Sequence, residues 1–290
     1  MEKCPYLVDV HWLFQRLQRV KAEGPGTPEV VIVDTRFSLS EPDLGHSQYL
    51  SGHIPGAYYL DLNKDLSSAV QSHGGRHPLP DWAVFANKLN QLSIYSAAPT
   101  GPTQIIIYDD SRLAFAARLW WMLRYLGHEQ VAILDGGIKA WERAGYSTST
   151  DVPSLKAGDF RPQPQADWTV DIEAVRQQQN RSDVVVIDAR SPERFRGEVE
   201  PIDPIAGSIP GAINAFWQQN TTEIGQIKSA NALSEHWAML NPSDEIIVYC
   251  GSGVTACVNL FSLVIAGHPM HKLYPGGWSD WCSYEEADAD

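Results

Sequence analysis

The sequence predicts an α/β protein made of two copies of one unit, each a mainly parallel sheet flanked by helices. Three observations predict it. Short apolar, β-branched runs alternate with helical patterns along the chain. Five segments recur in the same order in the two halves. A stretch rich in Pro, Gly and polar residues lies between the halves.

The repeated segments justify the elements one by one. Val8-Asp9-Val10, before an amphipathic helix, returns as Val170-Asp171-Ile172. Val31-Ile32-Val33-Asp34-Thr35-Arg36 returns as Val185-Val186-Ile187-Asp188-Ala189-Arg190, so Val31–Val33 and Val184–Ile187 read as buried strands. Gly52-His53-Ile54-Pro55-Gly56-Ala57 returns as Gly207-Ser208-Ile209-Pro210-Gly211-Ala212. Ile105–Tyr108 and Ile246–Tyr249 read as a second strand pair, ending on Asp109 and Cys250 respectively. Ala114–Tyr125 reads as a helix, apolar nearly all round and therefore well buried. Val131–Leu134 reads as a strand, and Asp135-Gly136-Gly137 after it matches Pro275-Gly276-Gly277. An ordered set of matches at so long a period indicates a duplicated domain, not a solenoid. The expected boundaries are a first unit over 1–150, a linker over 151–165 and a second unit over 166–290.

Composition narrows the function. The 290 residues suffice for two domains. A net charge of −13 argues against nucleic acid and anionic membrane surfaces as partners. No apolar run approaches the ~18 residues of a membrane span. The first residues lack the apolar core of a signal peptide, and four cysteines in a chain this long are no disulfide framework, so a reducing cytoplasm is expected. No Cys-X-X-Cys or paired-His motif suggests a metal, and no cofactor is expected.

The chemistry centres on Cys250. It ends an apolar strand and opens the loop Gly251-Ser252-Gly253-Val254-Thr255, which runs into a helix. Backbone N–H groups in such a loop form an anion-binding nest, and the helix N-terminus adds to the field. The thiolate is the reactive form of cysteine and is what such a setting stabilises. The first unit has Asp109 here, which cannot accept sulfur, so only the second unit is expected to be catalytic. The first unit's loop Asp110-Ser111-Arg112-Leu113 also lacks glycines and is not expected to close a nest. The first unit is longer between its Ile-Pro-Gly segment and the next strand. Its surplus includes Ser72-His73-Gly74-Gly75-Arg76-His77-Pro78-Leu79-Pro80, a loop of the kind that carries function.

These motifs together resemble the tandem-domain rhodaneses, a family of sulfurtransferases, over nearly the whole chain. The loop Cys250-Gly251-Ser252-Gly253-Val254-Thr255 is similar to that of the 3-mercaptopyruvate sulfurtransferase subgroup. Thiosulfate-preferring relatives usually carry Arg and Lys where this chain has Gly251 and Ser252. The resemblance implies a persulfide on Cys250, with the N–H groups of Gly251 to Thr255 around its terminal sulfur. It implies a small anionic sulfur donor, and thioredoxin, another thiol or cyanide as acceptor. It also implies that Arg190 binds substrate, since a planar guanidinium suits a carboxylate. Arg194 and Arg196 lie nearby and read first as surface charge. The family often has Arg after Glu-Pro, where this chain has Ile202, which leaves Arg196 as a stand-in for a second contact. Ser252 and His77 match two members of the family's Ser–His–Asp relay. Asn63 stands at the Asp position, with Asp61 and Asp65 as substitutes. A phosphatase with this fold needs Arg six residues after the cysteine, and Ala256 excludes that reading. A non-enzymatic rhodanese-like module fits the first unit better than the whole chain.

Overall fold

The computed structural model describes residues 6–23, 30–98 and 101–285. Two units divide the chain. The first comprises residues 1–66, 80–165 and 223–226, and the second comprises 67–79, 166–222 and 227–290.

In the first unit the elements run β1 (Leu7–Val8), α1 (Val10–Glu23), β2 (Val30–Asp34), α2 (Leu44–Ser51), β3 (Tyr58–Tyr59), α3 (Trp82–Asn90), β4 (Gln104–Tyr108), α4 (Ala116–Tyr125), β5 (Val131–Leu134) and α5 (Gly137–Arg143). The sheet order is β1-β5-β4-β2-β3, all pairs parallel. The central strands are apolar on both faces because helices cover both sides, as parallel sheets require. Ile105, Ile106, Ile107 and Tyr108 are all fully buried. α4 starts two residues later than expected, since Ala114 and Phe115 belong to the loop before it. Asp81 caps α3 by accepting the N–H groups of Ala83 and Val84. Residues 151–165, expected as a linker, run over this unit. The Lys156 N–H donates to the Gln91 carbonyl, that of Asp159 to Ile94 and that of Gln163 to Leu126, while the Phe160 ring is buried. A segment whose backbone finds partners and whose ring finds a core has no reason to stay detached.

The second unit repeats the plan with α6 (Ile172–Gln178), β6 (Val184–Asp188), α7 (Pro192–Phe195), β7 (Ile213–Asn214), a 3₁₀ turn (Trp217–Asn220), α8 (Ala230–His236), β8 (Glu245–Tyr249), α9 (Ala256–Ile265), β9 (Lys272–Leu273) and α10 (Gly277–Glu285). The order β7-β6-β8-β9 reproduces β3-β2-β4-β5, again all parallel. Even the register is kept: Val33 pairs with Ile107 in one sheet and Ile187 with Val248 in the other. Asp171 caps α6 through the Ala174 N–H. Among the described residues, no helix is long and apolar enough to cross a membrane.

Candidate active site

Cys250 lies just past the carboxyl end of β8, between the paths of β6 and β9, and is 2% exposed. Ligands of open parallel sheets bind at this end. The loop after it is pinned from behind. The Cys250 carbonyl accepts the Trp278 N–H at 2.8 Å, and the Gly251 carbonyl accepts that of Ser279 at 2.9 Å. Gly253 has φ +70°, and a side chain there would collide with the Pro275 carbonyl. This turn therefore needs glycine. Gly251, Ser252, Val254 and Thr255 give their N–H groups to no acceptor among the described residues. α9 starts directly after them.

The segment 67–79 belongs to this unit although it comes from the first half of the sequence. It is fastened to α10. Asp280 accepts the Gly74 N–H at 2.6 Å with one carboxylate oxygen and the Tyr274 hydroxyl at 2.7 Å with the other. The His73 ring stacks on Tyr284 and bonds the Ser283 hydroxyl at 2.8 Å. This anchorage brings His77 Nδ1 to 2.7 Å from the Ser252 Oγ, with both residues buried. The structure thus joins two of the residues singled out from sequence, two positions past the cysteine. Asp61 and Asp65, weighed as a third member, are occupied in the first unit. Asp61 accepts the N–H groups of Asn63 and Lys64, and Asp65 accepts that of Asp61 and pairs with Lys88.

The arginines sort differently from the sequence expectation. The Arg190 guanidinium is 2% exposed and engaged on every nitrogen: Nε and Nη2 on Asp188, Nη2 also on the Gly207 carbonyl at 2.6 Å, and Nη1 on Glu200 at 3.1 Å. Its face lies over the Trp278 ring at 4.9 Å. Burial works to lower its pKa, but the hydrogen bond and charge of Asp188 outweigh burial and raise it. Arg36 makes the same fork on Asp34 and on the Gly52 carbonyl in a unit without a nucleophile. What the two copies share is a strut between a strand end and the Ile-Pro-Gly segment. Arg196 is half exposed and paired with Glu198. Arg194, four residues past Arg190, is instead half of a different arrangement. It donates from Nε and Nη2 to Glu200 and from Nη2 to Asp203, and its Nη1 has no partner among the described residues. The side chain is 17% exposed and its guanidinium lies 3.7 Å from where a Cβ on Gly251 would be. Arg76, directly before His77, approaches that same point to 3.0 Å with Nη2 and pairs through Nη1 with Asp203. Sequence reasoning missed Arg76 and set Arg194 aside. The available signal was Arg76's place beside His77 in a loop already marked as functional.

The first unit supplies a counterpart. The Asp109 carboxylate accepts the N–H groups of Ser111, Leu113, Phe115 and Ala116 at 2.9–3.2 Å. A nest does close without glycines: Arg112 and Leu113 take left-handed φ values of 57° and 71°. The expectation that glycine was required there is corrected, and the reason is the four bonds that hold the strained turn. Burial raises the Asp109 pKa against the pull of those bonds. A cavity of about 190 Å³ adjoins it, lined by Arg112, Lys139, Arg143 and Glu223 among others. Cys257 is fully buried, with its thiol on the Gly253 carbonyl, and Cys282 is buried too. Trp120 and Trp121 lie in the first core and Trp278 and Trp281 in the second. No group of three or more His, Cys, Asp or Glu side chains suited to a metal occurs among the described residues.

A rhodanese-like domain family matches the chain twice, over residues 17–144 and 171–284. The chain belongs to that family, in its tandem-domain form, and is a sulfurtransferase. Among its relatives, a probable 3-mercaptopyruvate sulfurtransferase of Pseudomonas aeruginosa is 44% identical, across 88% of this chain and 89% of the relative. A putative thiosulfate sulfurtransferase, SseB of Mycobacterium tuberculosis, is 39% identical across 88% of each. In structure the chain is similar to SseA from Escherichia coli, a 3-mercaptopyruvate sulfotransferase. The TM-score is 0.80 at 32% identity, covering 94% of this chain and 99% of that one.

Proposed function

We propose that the protein takes sulfur from 3-mercaptopyruvate onto Cys250 and passes it to a thiol acceptor. The observation that carries this reading is the pair of nests. In the first unit a carboxylate gathers four N–H groups at hydrogen-bond distance. In the second, the matching loop has N–H groups without acceptors and a cysteine in place of the aspartate. Asp109 thus stands in for the anion that the Cys250 loop is built to hold, the terminal sulfur of a persulfide.

The Cys250 thiolate attacks the donor's sulfur, an S–S bond forms and the C–S bond breaks, and its electron pair goes to carbon as the enolate of pyruvate. The thiol proton passes through Ser252 and His77 to that carbon, leaving pyruvate and the persulfide anion. An acceptor thiolate then attacks the outer sulfur of the protonated persulfide, forms its own persulfide and restores the Cys250 thiolate. Thioredoxin, a small thiol or cyanide suits that second step, and a cytoplasmic setting suits the free thiol. The donor's carboxylate falls to the Nη1 edge of Arg194, while Arg190 serves as the strut behind it.

Thiosulfate is the second reading, favoured by two guanidinium groups beside Gly251. Against it, Glu200 and Asp203 match those two charges one for one, which leaves directed N–H donors but little net field for a dianion. Directed donors suit a planar carboxylate. The test is sulfur transfer from both donors side by side, with mass spectrometry for the about 32 Da added to Cys250. Mercaptopyruvate should give the higher kcat/KM. Equal or better turnover of thiosulfate would overturn the donor assignment.

A further inference from the structure

We infer that Asp280 is a positioning residue for sulfur uptake, acting through Gly74 to hold the His77 ring against Ser252. The inference rests on the proton passing through Ser252 and His77. Its evidence begins in the loop. Gly74 and Gly75 take left-handed φ values of 97° and 77°, and a glycine pair has no side chains with which to lock that shape. What fixes this joint lies at the start of α10. The buried Asp280 carboxylate accepts the Gly74 N–H at 2.6 Å. Gly75 sits so close to the Gly276 carbonyl that a side chain on it would collide there. His77 follows two residues later, with Nδ1 2.7 Å from the Ser252 Oγ.

The carboxylate is itself held. Its second oxygen accepts the Tyr274 hydroxyl at 2.7 Å. Burial first, and the Asp280 charge next, raise the Tyr274 pKa, so the phenol stays a donor. Gly276 makes room, since a Cβ there would lie 2.5 Å from the carboxylate. A carboxylate tied at both oxygens can hold a third group in place. A further tie runs through the Ser283 hydroxyl, which donates to the Asp280 carbonyl at 2.6 Å and bonds His73 Nδ1 at 2.8 Å. The duplication supplies a control. Residues 134–141 are the counterpart of residues 274–281, and both stretches run from a strand end into a helix. Leu134 stands where Tyr274 does, and Ala140 where Asp280 does. Both copies keep the glycine pair and the tryptophan at Trp141 and Trp281. Building this turn therefore does not need the carboxylate. The copy that has it is the one with the nucleophile.

The experiment follows the two half-reactions separately. The first is the pyruvate burst at saturating 3-mercaptopyruvate. The second is discharge of a preloaded Cys250 persulfide to dithiothreitol. Inorganic polysulfide loads it: the thiolate attacks an S–S bond and the shortened polysulfide leaves. Asp280→Ala should slow the burst roughly ten- to a hundredfold, as His77→Ala does, the range of a displaced proton-transfer group. The double variant should stay within about threefold of the slower single one, because groups that act as a unit are not additive. Discharge, which does not use the relay, should stay within about threefold in every variant. Asp280→Asn keeps an acceptor for Gly74 and a partner for Tyr274, and should restore the burst to within about fivefold. Multiplied losses in the double variant, equal slowing of both half-reactions, or a loss in Asp280→Asn as large as in Asp280→Ala would overturn the assignment. Should Asp280→Ala not fold, Tyr274→Phe is the milder probe. It frees one side of the carboxylate and should slow the burst several-fold alone, but not in the His77→Ala background; slowing in both would again overturn the role. An unaltered burst in His77→Ala would refute the relay itself. A normal His77 effect with an additive Asp280 loss would refute the positioning role alone.

Discussion

Asp109 and Cys250 leave equivalent strands in the same register, and the loops after them lead into equivalent helices, α4 and α9. The first loop is closed on itself: its carboxylate fills its own nest, at the cost of two non-glycine residues with left-handed backbone. The second has glycine at the turn, braced by the Pro275 carbonyl, and leaves its N–H groups to a ligand. One duplicated backbone thus yields a strut in one copy and a reaction site in the other. The difference needs few residues: the side chain at the strand end, a glycine, and the histidine and arginine delivered by segment 67–79.

The largest effect should come from making the second loop like the first. Cys250→Asp should abolish sulfur transfer and the about 32 Da mass gain, while the unfolding midpoint holds or rises because the new carboxylate fills the nest. A clear fall in midpoint would break the equivalence of the loops. Cys257→Ser, by contrast, should retain transfer.

Next come the two struts. Arg36→Ala and Arg190→Ala should each destabilise the protein by about 3–5 kcal/mol in denaturant titration, because each strands a buried carboxylate. Similar losses support a shared structural role. A loss of donor discrimination without a loss of stability in Arg190→Ala would return that residue to substrate binding.

A loss of stability is also expected from Asp109→Ala, which leaves four N–H groups without their acceptor. At about 1–3 kcal/mol for each donor that stays unpaired, it should destabilise the protein and leave transfer rates unaltered. The smallest effect belongs to the turns themselves. Arg112→Gly, at φ 57°, should stabilise by less than about 1 kcal/mol. Gly253→Ala stands apart from that scale: the added carbon meets both an unfavourable φ and a carbonyl, so it should destabilise by more than about 1 kcal/mol.

The fold was legible because duplication and apolar runs are properties of the chain itself. Val184–Ile187 and Ile246–Tyr249 differ from the observed strands only at their ends. Cys250 stands out in sequence by its strand–loop–helix setting, and Ser252 and His77 only through the family resemblance; the structure sets those two 2.7 Å apart. The arginines were not legible. Arg190, Arg194 and Arg196 are alike in sequence, and what separates them is which carboxylate each meets. Glu198, Glu200 and Asp203 follow them along the chain, and spacing alone does not say which acid meets which arginine. Only the packed turn after α7 assigns Glu200 and Asp203 inward and Glu198 to solvent. Residues 151–165 read as a linker because Pro and Gly mark irregular backbone, and such backbone packs where its groups find partners, as the Lys156, Asp159 and Gln163 N–H groups do.

Segments 67–79 and 223–226 are each counted with the unit that the other half of the sequence builds. The two copies are therefore not interchangeable cassettes. A gene cut between them at residue 166 would encode a second half holding the nucleophile without Arg76 and His77. During synthesis those two side chains are made long before Cys250 and await a unit that does not yet exist. Duplication gave this chain two domains, but the traded loops keep it a single heritable piece.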